Sequence, residues 1–173
     1  VFRYGVGFIG NFGVPTTLDG ELRVALPLAL AVNTALIVAF GLQHSVMARP
    51  WFKQWLTRYI PQPVERSSYV MCTNILLIAM YWLWQPMGGT VWNVENVVGR
   101  TMLYGLFGLG WLIVLVTTFL INHFDLFGLR QVWLYFRGQP YTHLQFVTPG
   151  PYRFIRHPLY VGWLLAFWAT PTM

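Results

Sequence analysis

The residues best suited to chemistry lie near the end of the chain, where Arg156 and His157 come directly before Pro158. Because proline favours the first position of a helix, this order predicts a helix whose N-terminus carries two side chains that can be positively charged. Free backbone amides and the helix dipole favour an anion there, and a guanidinium adds charge-assisted hydrogen bonds. The pattern therefore indicates a carboxylate or phosphate site, unless both side chains only anchor a helix end to lipid headgroups.

Two of the four histidines stand at the ends of long apolar stretches, and an imidazole can accept a proton near neutral pH. His44 follows the first stretch, and His123 follows the third, directly after Asn122. Both histidines are candidate catalytic bases and Asn122 is a candidate pocket residue, although polar residues in such places also serve as interfacial caps. His143, further along, is interpreted as an ordinary residue without a site role.

A second polar group precedes the middle apolar stretch. Glu65 and Arg66 are adjacent, and Tyr69 lies four residues after Glu65, on the same side of a helix. Two interpretations remain open. Either Glu65 and Arg66 form a surface ion pair of little energetic value, or all three residues line a substrate pocket.

Glycine patterns in the chain indicate helix packing rather than nucleotide binding. A GxGxxG match at the start of the chain lacks the preceding strand and following helix that a dinucleotide site requires. Small residues also recur within the third apolar stretch and every four positions after Pro158, which predicts close helix contacts. These small residues are Gly105, Gly108 and Gly110, and then Gly162, Ala166 and Thr170.

The composition predicts a membrane protein. Hydrophobic residues make up 56% of the 173 residues and charged residues only 9%, far below the roughly one quarter typical of soluble domains. Segments 24–43, 67–87 and 101–121 match the roughly 20 apolar residues that cross a bilayer as a helix. Segments 1–10 and 158–170 are too short, and both ends of the chain are expected to be truncated relative to the natural protein.

The distribution of charge predicts how the helices are oriented. The net charge is +6, and most basic residues fall in segments 49–66 and 130–156, whereas linkers 11–23 and 88–100 carry as many acids as bases or more. The positive-inside rule places the Arg-rich segments in the cytoplasm, so we expect a bacterial inner-membrane protein whose active site faces the cytoplasm. Without a continuous basic stripe, nucleic acid is not an expected partner.

The predicted fold is all-α, a polytopic transmembrane helical bundle of about five spans in which the first and last are incomplete. Segments 48–60 and 129–137 alternate aromatic and basic residues at helical spacing, which predicts amphipathic helices at the membrane interface. All of these elements are assigned to a single domain over residues 1–173. The pattern gives no indication of the oligomeric state.

The run from Gly150 to Gly162 resembles the GxYxxxRHPxYxG signature of a family of membrane methyltransferases that includes isoprenylcysteine carboxyl methyltransferase and phospholipid methyltransferases. The resemblance implies a cytoplasmic pocket for S-adenosylmethionine. It also implies a Glu-Glu pair on a later helix, which these 173 residues do not contain. The matching residues expected to bind the cofactor are Gly150, Tyr152, Arg156, His157, Tyr160 and Gly162.

Three other runs are similar to a narrower family, the bacterial methanethiol S-methyltransferases. They are QHSVMARPWFKQW from Gln43, PVERSSYV from Pro63 and INHFDLFGLRQVW from Ile121. This resemblance implies an integral membrane enzyme that methylates a small thiol and converts methanethiol to dimethyl sulfide, with no metal. A free thiol has a pKa of about 8.5, so a proton acceptor is expected, with His44 and His123 as candidates. The expected substrate pocket comprises Glu65, Arg66, Tyr69 and Asn122.

Other functions are compatible with the same features. A prenylated cysteine or a lipid headgroup is an alternative methyl acceptor. Membrane sterol reductases share a related helical architecture and use NADPH. Non-catalytic accessory membrane proteins of nitrogen-oxide metabolism resemble the region around Gln43 to Ser45.

Overall fold

The computed structural model describes residues 1–142, 144 and 150–173, without the side chain of Pro151. Within these residues the chain forms α-helices, two short 3₁₀ turns and one isolated antiparallel bridge between Asn93 and Thr172. The all-α class is confirmed for this part of the chain, and the prediction for His143 lies outside it. The helices are α1 (Phe2–Gly10), α2 (Leu26–Met47), α3 (Pro50–Leu56), α4 (Glu65–Leu83), α5 (Val97–Leu120), α6 (His123–Leu126), α7 (Leu129–Phe136) and α8 (Pro158–Trp168).

Two of the described helices are long and apolar enough to cross a bilayer. These are α2, with 22 residues, and α5, with 24 residues. The predicted middle span forms α4 but does not reach the same apolar character, because Ser67, Ser68, Thr73 and Asn74 add to the charges of Glu65 and Arg66. Helices α1 and α8 are shorter, with 9 and 11 residues, so the five-span arrangement is not confirmed.

Helices α5 and α8 approach each other closely through glycine. A Cβ atom added to Gly110 would lie 2.6 Å from the backbone nitrogen of Ala166 and 2.8 Å from the carbonyl oxygen of Gly162. The small residues after Pro158 therefore serve as a helix-packing face, as predicted, and their partner is α5. Gly105 and Gly108 face open space, so of these three glycines only Gly110 contacts another described helix.

Hydrogen bonds from three side chains close one end of the bundle. Asn33, buried inside α2, donates to the carbonyl oxygen of Gln85 at 2.7 Å and accepts from its backbone nitrogen at 2.9 Å, just where α4 has ended. The indole of Trp84 donates to a carbonyl in the loop after α1 at 2.9 Å. The indole of Trp92 donates to the carbonyl of Thr170, beyond α8, at 2.9 Å. The buried core comprises Phe8, Ile9, Trp84, Phe107, Trp111, Ala166 and Ala169.

The opposite end of the bundle, called the polar end below, carries Lys53, Glu65 and Arg66 together with Asp125 and Arg130. Ser67, near the start of α4, donates to the carbonyl oxygen of Gly128 at 2.9 Å. Gly128 has φ +77°, and a Cβ there would lie 2.7 Å from the backbone nitrogen of Ser67, so both conformation and space require glycine. Lys53 of α3 pairs with Glu65 of α4 at 3.5 Å. The two Arg-rich segments therefore meet at one end, as the charge pattern predicts.

Candidate functional site

A carboxylate network fixes the short helix α6 at the polar end. Asp125 forms ion pairs with Arg66 of α4 at 3.6 Å and with Arg130 of α7 at 3.2 Å. It also accepts a hydrogen bond from the hydroxyl of Tyr141 at 3.2 Å. Because hydrogen bonds to a charged group are roughly twice as strong as neutral ones, this network holds α6, and with it His123, against α4 and α7.

His123 lies among aromatic rings with one of its two nitrogens engaged. Its ring stacks on Phe119 with 4.3 Å between centroids and 8° between planes, and Phe127 packs at 4.6 Å. Its Nδ1 lies 3.1 Å from the hydroxyl oxygen of Thr118. Its Nε2 has no hydrogen-bond partner within the described residues. A histidine with one anchored and one free nitrogen has the arrangement of a positioned acid or base.

A cavity of about 440 Å³ lies beside His123 at the end of α5. Asn122 and Leu120 also line it, and the Asn122 side chain caps α6 by accepting from the backbone nitrogen of Asp125 at 3.1 Å. A Cβ added to Gly150 would lie 3.7 Å from a methyl carbon of Leu120. The signature run therefore reaches the wall of the cavity, whose volume suits a small ligand.

His44, near the end of α2, is held by a tyrosine of α4. The hydroxyl of Tyr69 lies 2.6 Å from Nδ1 of His44 and 3.1 Å from its Nε2. The His44 ring also stacks on Phe40, with 5.8 Å between centroids. The phenol thus occupies the polar edge of the imidazole, and the pair joins α2 to α4.

Glu65, Arg66 and Tyr69 share a second cavity of about 250 Å³, which Leu126 of α6 also lines. Glu65 and Arg66 do not form the surface pair that the sequence left open. Glu65 pairs with Lys53, and Arg66 pairs with the carboxylate of α6 described above. Their side chains connect α4 to two other helices, and the cavity lies between those connections.

The N-terminus of α8 is open. The helix begins at Pro158, as predicted, and no side chain caps its first-turn amides. Arg156 and His157 are exposed, and Arg156 has no hydrogen bond or ion pair with any described residue. The Tyr160 ring packs 5.2 Å from that of His157. Burial raises the pKa of the half-buried Tyr152 phenol.

The packing of α8 on α5 brings this N-terminus to the level of Thr118, whose hydroxyl contacts His123. The helices are antiparallel, because Gly110 faces both Gly162 and Ala166 while Val114 faces Gly162. Pro158 lies four residues before Gly162, and Thr118 lies four residues after Val114. Each of these steps spans about 6 Å along its helix axis. Pro158 therefore lies at the level of Thr118. Gly162 itself is covered by α5, so its observed role is to permit this approach.

Several features of this end were not predicted from the sequence. Thr118 is concealed within an apolar stretch, and Arg130 and Tyr141 reach Asp125 only through the tertiary fold. An unpredicted apolar groove of about 870 Å³ adjoins Asn122. The sequence feature that could have indicated these contacts is the presence of a polar residue, such as Thr118, inside an apolar stretch. The groove is lined by Ser67, Asn122, Phe124, Leu129, Arg130, Val132, Trp133 and Phe136.

Within the described residues, the fold and the site define an all-helical protein with two candidate membrane helices, a histidine-lined cavity at the end of α5 and an open N-terminus of α8. No family model and no solved structure matches the chain. Methanethiol S-methyltransferase from Crocosphaera subtropica is 56% identical over 170 residues, which cover 98% of this chain and 67% of that protein. The protein of the same name from Mycobacterium tuberculosis is 48% identical over 172 residues, which cover 99% and 70%. The chain belongs to the methanethiol S-methyltransferase family.

A more distant similarity extends beyond this family. Nurim from Bos taurus is 28% identical over 183 residues, which cover 97% of this chain and 68% of that protein. The chain spans about two thirds of the length of these three relatives.

Proposed function

We propose that this protein methylates methanethiol to dimethyl sulfide, with S-adenosylmethionine as the methyl donor. The observation that carries the proposal is the cavity of about 440 Å³ lined by His123, at the level of the open N-terminus of α8. The relatives named methanethiol S-methyltransferase support the reaction. A single domain over residues 1–173 contributes both parts of the site.

Arg156 is proposed to bind the carboxylate of the donor. Its forked guanidinium has no other described partner, and the adjacent first-turn amides of α8 favour the same negative charge. The donor, when bound, supplies an electrophilic methyl group on a sulfonium sulfur. The chain has five acidic residues, and the two at this end, Glu65 and Asp125, are ion-paired. The described residues therefore fit the carboxylate of the donor rather than its ammonium group.

The remaining signature residues are assigned supporting roles around the donor. His157 lies next to Arg156 at the start of α8, and Tyr152 and Tyr160 are proposed to shape the pocket on either side of it. Gly150 is proposed to let the backbone approach the cavity wall, and Gly162 to let α8 approach α5. Together these positions define where the donor methyl group is presented.

The chain is proposed to activate the thiol by removing its proton, because the thiolate is the reactive form. His123 and His44 are the two proposed proton acceptors at this end of the bundle. Holding the two reactants aligned can contribute about 7–11 kcal/mol to catalysis. Glu65, Arg66, Tyr69 and Asn122 are proposed as the surrounding pocket.

The bundle is proposed to cross a bacterial inner membrane with its Arg-rich end in the cytoplasm. Helices α2 and α5 would each cross once, α4 would cross beside α2, and α1 and α8 would be parts of two further spans. The positive-inside rule supports this orientation. It gives the site access to cytoplasmic S-adenosylmethionine and lets an apolar product leave through the bilayer.

A prenylated cysteine or lipid is the second candidate acceptor, and one observation favours it. The apolar groove of about 870 Å³ that adjoins Asn122 is larger than methanethiol requires. In this alternative the donor site stays the same and the groove holds an acyl or prenyl chain.

The donor assignment is tested by calorimetric binding of S-adenosylhomocysteine to the purified full-length protein. We expect binding of this molecule and not of NADPH, which is the cofactor of the reductase alternative. Arg156→Ala should weaken the affinity about 10- to 100-fold, since a charge-assisted hydrogen bond is lost. Arg100→Ala, at the opposite end of the bundle, is the matched control. Equal affinity in both variants contradicts the assignment of Arg156, and NADPH binding contradicts the proposed class.

A further inference from the structure

We infer that Nε2 of His123 is the atom that accepts the thiol proton, and that Thr118 is the positioning residue that keeps this nitrogen unprotonated. The inference rests on the proposed function, because it names the base for that reaction. It starts from the hydrogen bonds of Thr118, which lies in the last turn of α5.

The hydrogen bonds of Thr118 indicate the tautomer of His123. A threonine hydroxyl has one proton to donate, and Thr118 donates it to the carbonyl oxygen of Leu115 at 2.8 Å. The 3.1 Å contact between the Thr118 oxygen and Nδ1 of His123 therefore needs its proton from the histidine. A neutral imidazole carries only one N–H, so Nε2 retains its lone pair. This nitrogen has no described partner and belongs to a residue that lines the cavity.

His44 is in the opposite situation. The Tyr69 hydroxyl lies within 3.1 Å of both of its ring nitrogens and 2.6 Å from Nδ1. The donor and acceptor roles in this contact depend on the tautomer of His44, but the phenol oxygen covers both ring nitrogens in either tautomer. His44 therefore joins α2 to α4, whereas His123 has a lone pair available for substrate.

No charged group among the described residues contacts the His123 ring. The rings packed against it carry no charge, and the nearest carboxylate, on Asp125, is shared by two arginines and a tyrosine. The hydroxyl of Thr118 is the one polar contact from α5. The neighbouring groups are Phe119, Phe124 and Phe127, and Arg66, Arg130 and Tyr141 around Asp125.

The reaction balances with this assignment. The S–H proton of methanethiol passes to Nε2, and the electron pair left on sulfur forms the new bond to the donor methyl carbon. The bond between that carbon and the sulfonium sulfur breaks, and its electron pair stays on the departing sulfur, which becomes a neutral thioether. His123 is left as an imidazolium that stacks on Phe119, and it returns its proton to water after product release.

The test combines histidine ¹⁵N NMR with steady-state kinetics on the full-length protein in detergent. Thr118→Val removes the acceptor for Nδ1–H with little change in shape, and Thr118→Ser retains it. Thr117→Val is the matched control, because Thr117 is a neighbouring buried hydroxyl that donates to the carbonyl of Ile113 at 2.7 Å and does not contact His123. The His123 resonances are assigned by their loss in His123→Gln.

We expect the parent protein to carry the His123 proton on Nδ1, and Thr118→Val to lose this preference. Its kcat should fall about 3- to 10-fold at unchanged KM, as expected for the loss of one hydrogen bond. Thr118→Ser and Thr117→Val should match the parent in both measurements. His123→Gln should lower kcat by roughly 10²- to 10⁴-fold, with recovery at high pH, where the thiolate forms without a base.

Two results overturn the inference. One is a parent spectrum with the His123 proton on Nε2, and the other is an unchanged tautomer and kcat in Thr118→Val. Either result leaves the proposed function standing if dimethyl sulfide is still produced. Absence of dimethyl sulfide from the parent protein overturns the proposed function, and the base role of His123 with it.

Discussion

Helices α5 and α8 depend on the absence of a side chain at Gly110, and a single methyl group tests this dependence. Gly110→Ala would place a carbon 2.6 Å from the backbone nitrogen of Ala166. Ordinary contact begins at 3.4 Å, so the two helices would have to separate by about 0.8 Å at this point. Because the crowded atoms belong to the backbone, a change of rotamer cannot relieve the contact. The whole of α8 must shift.

The size of the effect follows from two opposing terms. Overpacking costs about 1–3 kcal/mol, and replacing glycine with alanine inside a helix returns about 1 kcal/mol. Gly108→Ala should gain this helix propensity without any cost of overpacking, because nothing lies within 4 Å of the added carbon. Gly110→Ala should therefore be less stable than Gly108→Ala by about 1–3 kcal/mol.

Thermal unfolding in one detergent, followed by tryptophan fluorescence, measures the difference in stability between these variants. S-adenosylhomocysteine affinity is measured alongside, because α8 carries Arg156 at its start. We expect Gly110→Ala to have the lower Tm and the weaker affinity. If Gly110→Ala is at least as stable as Gly108→Ala, then α8 does not pack on α5 through these glycines, and the register that brings Pro158 level with Thr118 is wrong.

Two further predictions concern topology and the polar end. Reporters fused at Gln62 and Gln139 should both indicate the cytoplasm and one at Gly89 the outside, because the two Arg-rich segments share one end; an outside signal at Gln139 contradicts the donor assignment. Asp125→Asn should lower the free energy of unfolding by about 1–3 kcal/mol, since its charged partners lose their acceptor, as measured by denaturation in detergent. Glu95→Gln, at an exposed position on the opposite end, should change it by less than about 0.5 kcal/mol, and equal effects of the two substitutions contradict the network.

Helices and their ends could be predicted from the sequence where local physics determines them. Pro158 starts α8 because its ring suits a first helical position, and the apolar stretches that became α2 and α5 are long enough to specify helices by length alone. The close packing after Pro158 followed from the four-residue spacing of Gly162 and Ala166. These features depend on residues near one another in the chain.

The contacts that organise the site could not be predicted because they depend on the tertiary fold. Glu65 and Arg66 are neighbours in sequence, which suggested a pair, yet helical geometry sends them to different partners. Asp125 meets Arg66 across 59 residues, a distance over which no spacing rule operates. Thr118 gave no signal because a threonine inside an apolar helix usually bonds to its own backbone, as this one also does.

The central claim is tested most directly by headspace detection of dimethyl sulfide from the full-length protein supplied with S-adenosylmethionine and a series of thiols. Methanethiol should be converted, and the rate should fall once the alkyl chain is longer than the cavity of about 440 Å³ beside His123 can hold together with the donor methyl group. The same preparation is assayed with farnesylated cysteine and radiolabelled donor. Dimethyl sulfide formation that requires the donor supports the account, whereas a preference for farnesylated cysteine over methanethiol would contradict it.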